Sequence, residues 1–153
     1  MEKEVDVLED RQYLEDRQYL KDFEACRIAA GQFHHSDHVR VAWTMLKETP
    51  LEDALCRFTR AIRRFAEHHG ATGLYHQTIT WTYLFVINER RMRLAADHDW
   101  ASFRDANPDL FEDHREFLGR YYTDEVLKSD FARHQYALPD RAAPCPGTPV
   151  PAS

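Results

Sequence analysis

The sequence predicts an all-α protein, built as a compact bundle of about six to seven helices. Apolar residues recur at helical spacing along most of the chain, and no stretch alternates apolar and polar residues between turn residues as a strand would. Glycine is scarce, with 5 in 153 residues, so few positions interrupt the helices. In such bundles, ligand and metal sites form between facing helices from inward side chains.

Size and composition fit one domain. Hydrophobic residues make up 43% of the 153 residues, which is enough for a core and argues against disorder. The formal net charge of -6 argues against a nucleic-acid partner. No apolar run approaches the roughly 20 residues that cross a bilayer, so no membrane partner is expected.

The cysteines and the start of the chain bear on localisation. The 3 cysteines are odd in number, lie far apart and form no metal-type pair. The charged residues 1–4 lead into no apolar segment, so no secretory signal is expected. These features favour a reduced, cytoplasmic protein without structural disulfides. The sequence is compatible with a homo-oligomer and leaves the oligomeric state open.

Composition divides the chain into three parts. Residues 1–19 form a charged N-terminal extension, in which 8–19 repeat the segment LEDRQY in tandem. A solvated, partly helical extension is expected, with a coiled-coil or dimer arm as the alternative. Residues 20–138 are predicted to form the helical domain. Residues 139–153 are rich in proline, which predicts a disordered or extended tail.

The first half of the domain contains three predicted helices. The first covers 20–31, where Gly31 is a suitable C-cap. The second starts near Ser36, a good N-cap residue, and runs to about residue 48. The third, over 51–70, has the clearest inward apolar stripe in the chain.

The second half contains a long helix and several shorter ones. The fourth helix is predicted over 74–96, and its centre is apolar nearly all round, as in a central, buried helix. A short fifth helix ends before Pro108. A sixth covers 109–121, and Thr123 caps a seventh in which Phe131 faces inward.

Three histidines lie where core residues are expected. On a helix, His35 and His38 share one face with Val39 and Ala42, so both imidazoles point inward. His76 shares a face with the apolar residues of the fourth helix in the same way. The other histidines lie near helix ends or on mixed faces and are assigned no role, His114 among them.

These three histidines are typical of a metal site. Neutral imidazole binds Zn, Cu, Fe and Ni, and three protein ligands with an open position are the pattern of catalytic zinc. We therefore expect His35, His38 and His76 to bind a divalent transition metal, in a protein that acts on a small-molecule ligand or substrate. Acid–base catalysis without a metal is an alternative. So are a non-enzymatic metal sensor or small-ligand module, and a structural interaction protein, so enzymatic activity is left open.

Five neighbouring residues are candidates for supporting roles. Asp37 either caps the helix or orients a ligating ring. Thr80 either binds a ligand or bonds back to its own helix. Tyr75 is a phenol acid or a packed aromatic residue, and Arg40 either holds a substrate carboxylate or pairs with an acidic residue. Cys26 is a candidate fourth ligand or a buried, inert thiol.

Two motifs carry a resemblance to a family. The segments FHHSDHVRVAW at 33–43 and YHQTIT at 75–80 resemble motifs of small, uncharacterised bacterial all-helical proteins. The similarity covers roughly residues 23–140, and family members often have Glu where this chain has Gln77. The resemblance implies that the three inward histidines form a linked set, and it implies no particular activity. Shorter matching segments lie at 61–66, 107–110 and 120–122.

Overall fold

The computed structural model describes residues 2–141, and residues 2–10 by their backbone alone. This part of the chain forms eight α-helices and three short 3-10 helices, and no strand occurs in it. The predicted all-α fold class is therefore confirmed. The α-helices are α1 (Glu2–Glu24), α2 (His35–Glu48), α3 (Leu51–His68), α4 (Gln77–Met92), α5 (Trp100–Ala106), α6 (His114–Gly119), α7 (Asp124–Leu127) and α8 (Asp130–His134). The 3-10 helices are Ala30–Gln32, Thr72–Leu74 and Pro108–Leu110.

The four long helices enclose the main core. Helix α1 packs against α2 and α3, α2 packs against α3 and α4, and α3 packs against α4. The largest buried side chains there include Trp43, Phe23, Phe103 and Phe117. Burying one large apolar side chain stabilises a fold by roughly 1.5–3 kcal/mol, so this core supplies the main driving force for folding. The pairing of α2 with α4 positions the site described below.

Helix α1 runs unbroken through the expected boundary between residues 19 and 20. Leu20 is buried, as expected for the start of the domain. Asp16, in the second copy of the duplicated segment, is also buried at 3% exposure, and it accepts two hydrogen bonds from Arg40 of α2. This part of the predicted extension therefore packs on the domain rather than standing in solvent.

The end of α1 differs from the expectation of a helix reaching Gly31. The helix ends at Glu24, and Cys26 takes a left-handed conformation with φ 58°. Glycine usually occupies this conformation after a helix, because a side chain there crowds the backbone. The amide of Arg27 then bonds the carbonyl of Asp22 at 2.8 Å, which satisfies one of the last carbonyls of α1.

The starts of α2 and α4 determine where the histidines point. Helix α2 has His34 rather than Ser36 at its N-cap, and the side chain of Asp37 accepts the His34 amide at 2.9 Å. Asp37 therefore caps the helix. Helix α4 begins at Gln77 rather than near residue 74, and His76 is its N-cap residue, with extended φ −135° and ψ 112°.

The last third of the chain forms shorter helices than predicted. A small second core of Tyr122, Ala132 and Ala137 joins it to α4, where the Thr78 hydroxyl lies 2.7 Å from the carbonyl of Ala132. Thr123 caps α7 as predicted. Phe131, predicted to face inward, is 62% exposed. The side chain of Ser129 caps a separate helix α8, so the apolar spacing of α7 does not continue into it.

Two sequence expectations concern the chain as a whole. Within residues 2–141, no helix combines the length and the apolar character needed to cross a membrane. The proline-rich tail was predicted over 139–153, and from residue 142 onward it lies outside the described residues.

Candidate functional site

A pocket lies between α2, α3 and α4, beside the start of α6; we refer to it as the histidine pocket. Its cavity volume is about 120 Å³, whereas one water needs only roughly 10–15 Å³. The pocket can therefore take a small organic molecule. Its apolar wall consists of Val39, Ala42, Phe58, Ile62, Ile79, Leu84 and Ile87. Its polar side chains are His35, His38, Thr80, Tyr83 and His114.

His35 begins α2, and one hydrogen bond fixes its ring. Its Nε2 lies 2.6 Å from the carbonyl oxygen of Leu110, and a carbonyl only accepts, so Nε2 carries the proton. Burial lowers the pKa of His35, as does His114 to a smaller extent, against the opposing effect of the Leu110 carbonyl. The neutral ring therefore keeps the lone pair on Nδ1 available for a ligand.

His38 lies one turn further along α2, with its ring packed on Phe33 at a centroid distance of 4.2 Å. Burial foremost, and the charges of His35 and His114 to a smaller extent, lower the pKa of His38 to about 4 against the opposing effect of Asp37. Neither ring nitrogen has a hydrogen-bond partner among residues 11–141, and neither is sealed from solvent. Both nitrogens can therefore bond a partner from the pocket, and a ligand that covered them without a hydrogen bond would leave an unsatisfied polar group, at a cost of about 1–3 kcal/mol.

His114 and Tyr83 complete the polar side of the pocket. The rings of His35 and His114 meet edge to face, with centroids 4.0 Å apart. The Tyr83 hydroxyl lies 3.1 Å from Nδ1 of His114. Burial raises the pKa of Tyr83, as does Asp109 to a smaller extent, so the phenol keeps its proton and can donate it in a hydrogen bond to Nδ1 of His114. Three imidazoles and a phenol therefore line the pocket.

His76 lies outside the histidine pocket, because it precedes α4 instead of lying on its inner face. Its Nε2–H donates to the carbonyl oxygen of Leu127 at 2.7 Å, and its Nδ1 accepts a hydrogen bond from the Ile79 amide at 3.2 Å. Both ring nitrogens are thus occupied by the backbone. The structure brings His35 and His38 together and does not bring His76 to them.

The supporting candidates fall in several places. Thr80 lines the histidine pocket, but its hydroxyl donates to the His76 carbonyl at 2.8 Å. Tyr75 lies outside it, where its hydroxyl bonds the side chain of Gln77 and its ring packs under an arginine. Cys26 follows the end of α1 and does not line the histidine pocket. Thr80 is therefore the one supporting candidate that the structure places in this pocket.

The described residues form no ready metal site. Among them, no group of three or more His, Cys, Asp or Glu side chains is positioned to hold a metal ion. The rings of His35 and His114 lie closest together in the pocket, with centroids 4.0 Å apart.

Sequence reasoning missed His114 and Tyr83, although both left a signal. His114 lies three residues before Phe117 and four before Leu118, on the apolar stripe of the predicted sixth helix. Tyr83 lies on the stripe of the predicted fourth helix. An apolar stripe gives no information on the tertiary packing, and it is this packing that places α6 beside the first turn of α2.

Fold and site together define an all-α bundle with a histidine-lined pocket between its long helices. Comparison of the chain with family models, with curated proteins and with solved structures found no match. What this pocket does must therefore be argued from its own chemistry.

Proposed function

We propose that the histidine pocket binds a small, mainly apolar molecule that donates one hydrogen bond to His38. One observation carries this proposal: His38 is half-buried, lines the pocket, and has no hydrogen-bond partner among residues 11–141, while burial lowers its pKa. Every other histidine ring that lines the pocket already has a contact to one of its nitrogens. A ligand donor would satisfy the remaining ring.

The wall chemistry supports a ligand that is apolar except for that donor. The seven apolar side chains contribute affinity in proportion to the ligand area they cover, roughly 25 cal/mol for each Å². A hydrocarbon of the same shape would gain this term and leave His38 unpaired. The donor should therefore improve binding by about 1–3 kcal/mol, which corresponds to about 5-fold to 150-fold in affinity.

The proton affinity of His38 favours binding over turnover. General bases work best when their pKa lies near the working pH. The burial that lowers the pKa of His38 to about 4 makes it a weak base at neutral pH. We therefore propose a ligand-binding module, with an enzyme as the alternative if a metal enters the pocket.

A matched pair of fluorinated probes tests the proposal. We expect 4-fluorophenol, followed by ¹⁹F NMR, to bind the wild-type protein at least about fivefold more tightly than fluorobenzene. In His38→Leu the preference should disappear while fluorobenzene still binds, because the apolar wall is intact. Equal binding of the two probes to wild type, or a preference that persists in His38→Leu, would refute the role of His38.

A second candidate function is binding of a divalent transition metal, with Zn, Cu, Fe and Ni all compatible with imidazole ligands. We propose His35 and His38 as ligands, with His114 in the place expected for His76. The hydrogen bond from His35 Nε2 to the Leu110 carbonyl favours this, because ligating histidines usually donate their other N–H to such a group. Enzymatic action on a small molecule would then depend on the bound metal.

Cobalt titration of protein without a polyhistidine tag separates the two candidates. If the metal proposal holds, Co²⁺ produces visible d–d absorption that His35→Ala, His38→Ala and His114→Ala each abolish and that His76→Ala leaves intact. If the d–d absorption is lost in His76→Ala and retained in His114→Ala, the result would instead support the three ligands predicted from sequence, which include His76. Absence of any d–d band at saturating Co²⁺ would rule out the metal site and leave the small-molecule proposal standing.

A further inference from the structure

A second groove lies at the other end of the α2–α4 pair, away from the histidine pocket. It is an open groove formed by the last turn of α2, the first residue of α3 and the last turn of α4, with a volume of about 390 Å³. Lys47 and Arg91 both line it. Nine residues separate Lys47 from His38 along α2, or about 14 Å at 1.5 Å per residue, so the two sites are distinct.

Arg91 differs from the other half-buried arginines of the bundle. Arg40, Arg57 and Arg90 each bond a carboxylate, whereas Arg91 has no acidic side chain within 4.0 Å among residues 11–141. Within residues 11–141, its buried Nε has no hydrogen-bond partner, and its Nη1 meets the sulfur of Met92 at 3.3 Å. Burial lowers the pKa of Arg91.

Lys47 adds a second cation to the same groove. Its Nζ lies over the rings of Trp43 and Tyr13, at 4.7 Å and 5.6 Å from their centroids, and it forms no ion pair with the described side chains. Burial lowers the pKa of Lys47, and the charge of Arg91 adds to that effect while Asp16 and Asp99 oppose it. The two cations therefore lie close enough to repel each other.

Two carboxylates near the groove, those of Glu48 and Asp16, are paired with other arginines. Glu48 lines the groove, but its carboxylate pairs with Arg17 at 2.6 Å and with Arg57 at 3.7 Å. Asp16 is bonded to Arg40. Two neighbouring cations thus line one groove without an ion pair to any carboxylate of residues 11–141, and in a chain with a net charge of -6 this arrangement calls for an external anion.

We propose that Lys47 and Arg91 form a binding site for the oxyanion group of a small molecule, a carboxylate or a phosphate. The guanidinium of Arg91 offers the planar, two-point donor geometry that suits either group, and the Lys47 ammonium adds a point charge. The apolar side chains of Leu46, Leu51 and Met92 line the same groove and would contact the body of an organic anion. An organic carboxylate would make this apolar contact and inorganic phosphate would not, so comparing the two anions distinguishes the sources.

NMR titration with sodium phosphate and sodium benzoate, at ionic strength held constant with sodium chloride, tests the site. We expect a saturable shift of the Arg91 Nε–Hε signal with at least one of the two anions at millimolar concentration. Tighter binding of benzoate would identify an organic carboxylate, and tighter binding of phosphate a phosphate group. A shift that only follows ionic strength, with no saturation for either anion, would overturn the proposal.

Three substitutions that each remove one positive charge show which cations bind the anion. Arg91→Gln and Lys47→Gln should each weaken binding by at least about tenfold, the equivalent of 1.4 kcal/mol. Arg93→Gln is the control, since Arg93 is exposed and pairs with Glu89 on the same helix surface. An equal loss of affinity in Arg93→Gln would show a general charge effect and overturn the site. The Lys47→Gln result and the wild-type Arg91 signal keep the test decisive if Arg91→Gln does not fold.

Discussion

Asp16 and Arg40 join α1 to α2 through one carboxylate oxygen. Oδ1 of Asp16 accepts hydrogen bonds from Nε of Arg40 at 3.0 Å and from Nη2 at 2.5 Å. The Asp16 side chain is only 3% exposed, so this pair is largely removed from water. The second copy of the duplicated segment thus contributes a buried polar contact that fastens α1 to the domain.

Replacing Asp16 with alanine should destabilise the fold. The substitution leaves the Arg40 guanidinium desolvated and without its carboxylate, and breaking such a pair from one side costs about 2–4 kcal/mol. Urea denaturation measures the loss. The control is Glu15→Ala, because Glu15 is exposed and lies 3.9 Å from Arg11 in a surface pair, for which we expect less than about 0.5 kcal/mol. Similar losses in the two variants would contradict the structural role of Asp16.

His76 should matter for stability and not for ligand binding. His76→Ala removes the cap on the Ile79 amide and the bond to the Leu127 carbonyl, so we expect a loss of about 1–3 kcal/mol in the free energy of unfolding. His76→Asn keeps a capping oxygen and should recover part of that loss. Affinity for 4-fluorophenol should be unchanged in both variants. A large drop in affinity with unchanged stability would return His76 to the site.

Asp109 should make the protein sensitive to strong acid. Its carboxylate bonds Arg90 at 2.5 and 2.7 Å and Arg120 at 2.8 Å, and these bonds, Arg90 foremost, hold its pKa at about 2. The pKa is lower in the folded than in the unfolded protein, so the stabilisation is complete above the ordinary value of 3.8 and is lost as the pH falls toward 2. After allowance for solvent screening, it amounts to about 1–2 kcal/mol.

Comparing Asp109→Asn with wild type across this pH range measures that contribution. The wild type should be the more stable near neutral pH, and its advantage should shrink between about pH 4 and pH 2. The matched control is Asp105→Asn, since Asp105 is 77% exposed and its contact with Arg104 is long, at 4.0 Å. A wild-type advantage that stays constant down to pH 2, or an equal effect in the control, would contradict the role of the Asp109 ion pairs.

Helix α3 shows how much of the fold the sequence contains. Its apolar stripe predicted a helix over 51–70, and the structure has Leu51–His68 with Phe58 and Phe65 buried. Gly70 takes φ +69°, the left-handed conformation that follows a helix and that a side chain would strain. Local periodicity and one turn residue determine this element, so no tertiary information was needed to predict it.

The site was predictable only in part, because its assembly depends on contacts distant in the sequence. The spacing of His35 and His38 within one helix places both in the pocket, as expected. The sequence placed His76 on the inner face of the fourth helix, because an apolar pattern does not distinguish a residue in the first turn of a helix from the cap residue before it. His114 lies 76 positions after His38, and only the packing of α6 beside α2 brings it to the pocket.

The pKa of His38 in the folded protein tests most directly whether the histidine pocket contains a neutral imidazole. Its titratable neighbours are His35, Asp37 and His114, and burial dominates the shift. An NMR pH titration of the ring, assigned with His38→Gln in the presence of a chelator, should show it neutral until the pH approaches its pKa of about 4. Because the ordinary pKa is 6.5, the folded protein should also lose stability as the pH falls from 6.5 toward 4, and less so in His38→Gln. A His38 ring that takes up its proton near pH 6.5 would contradict the proposed binding role.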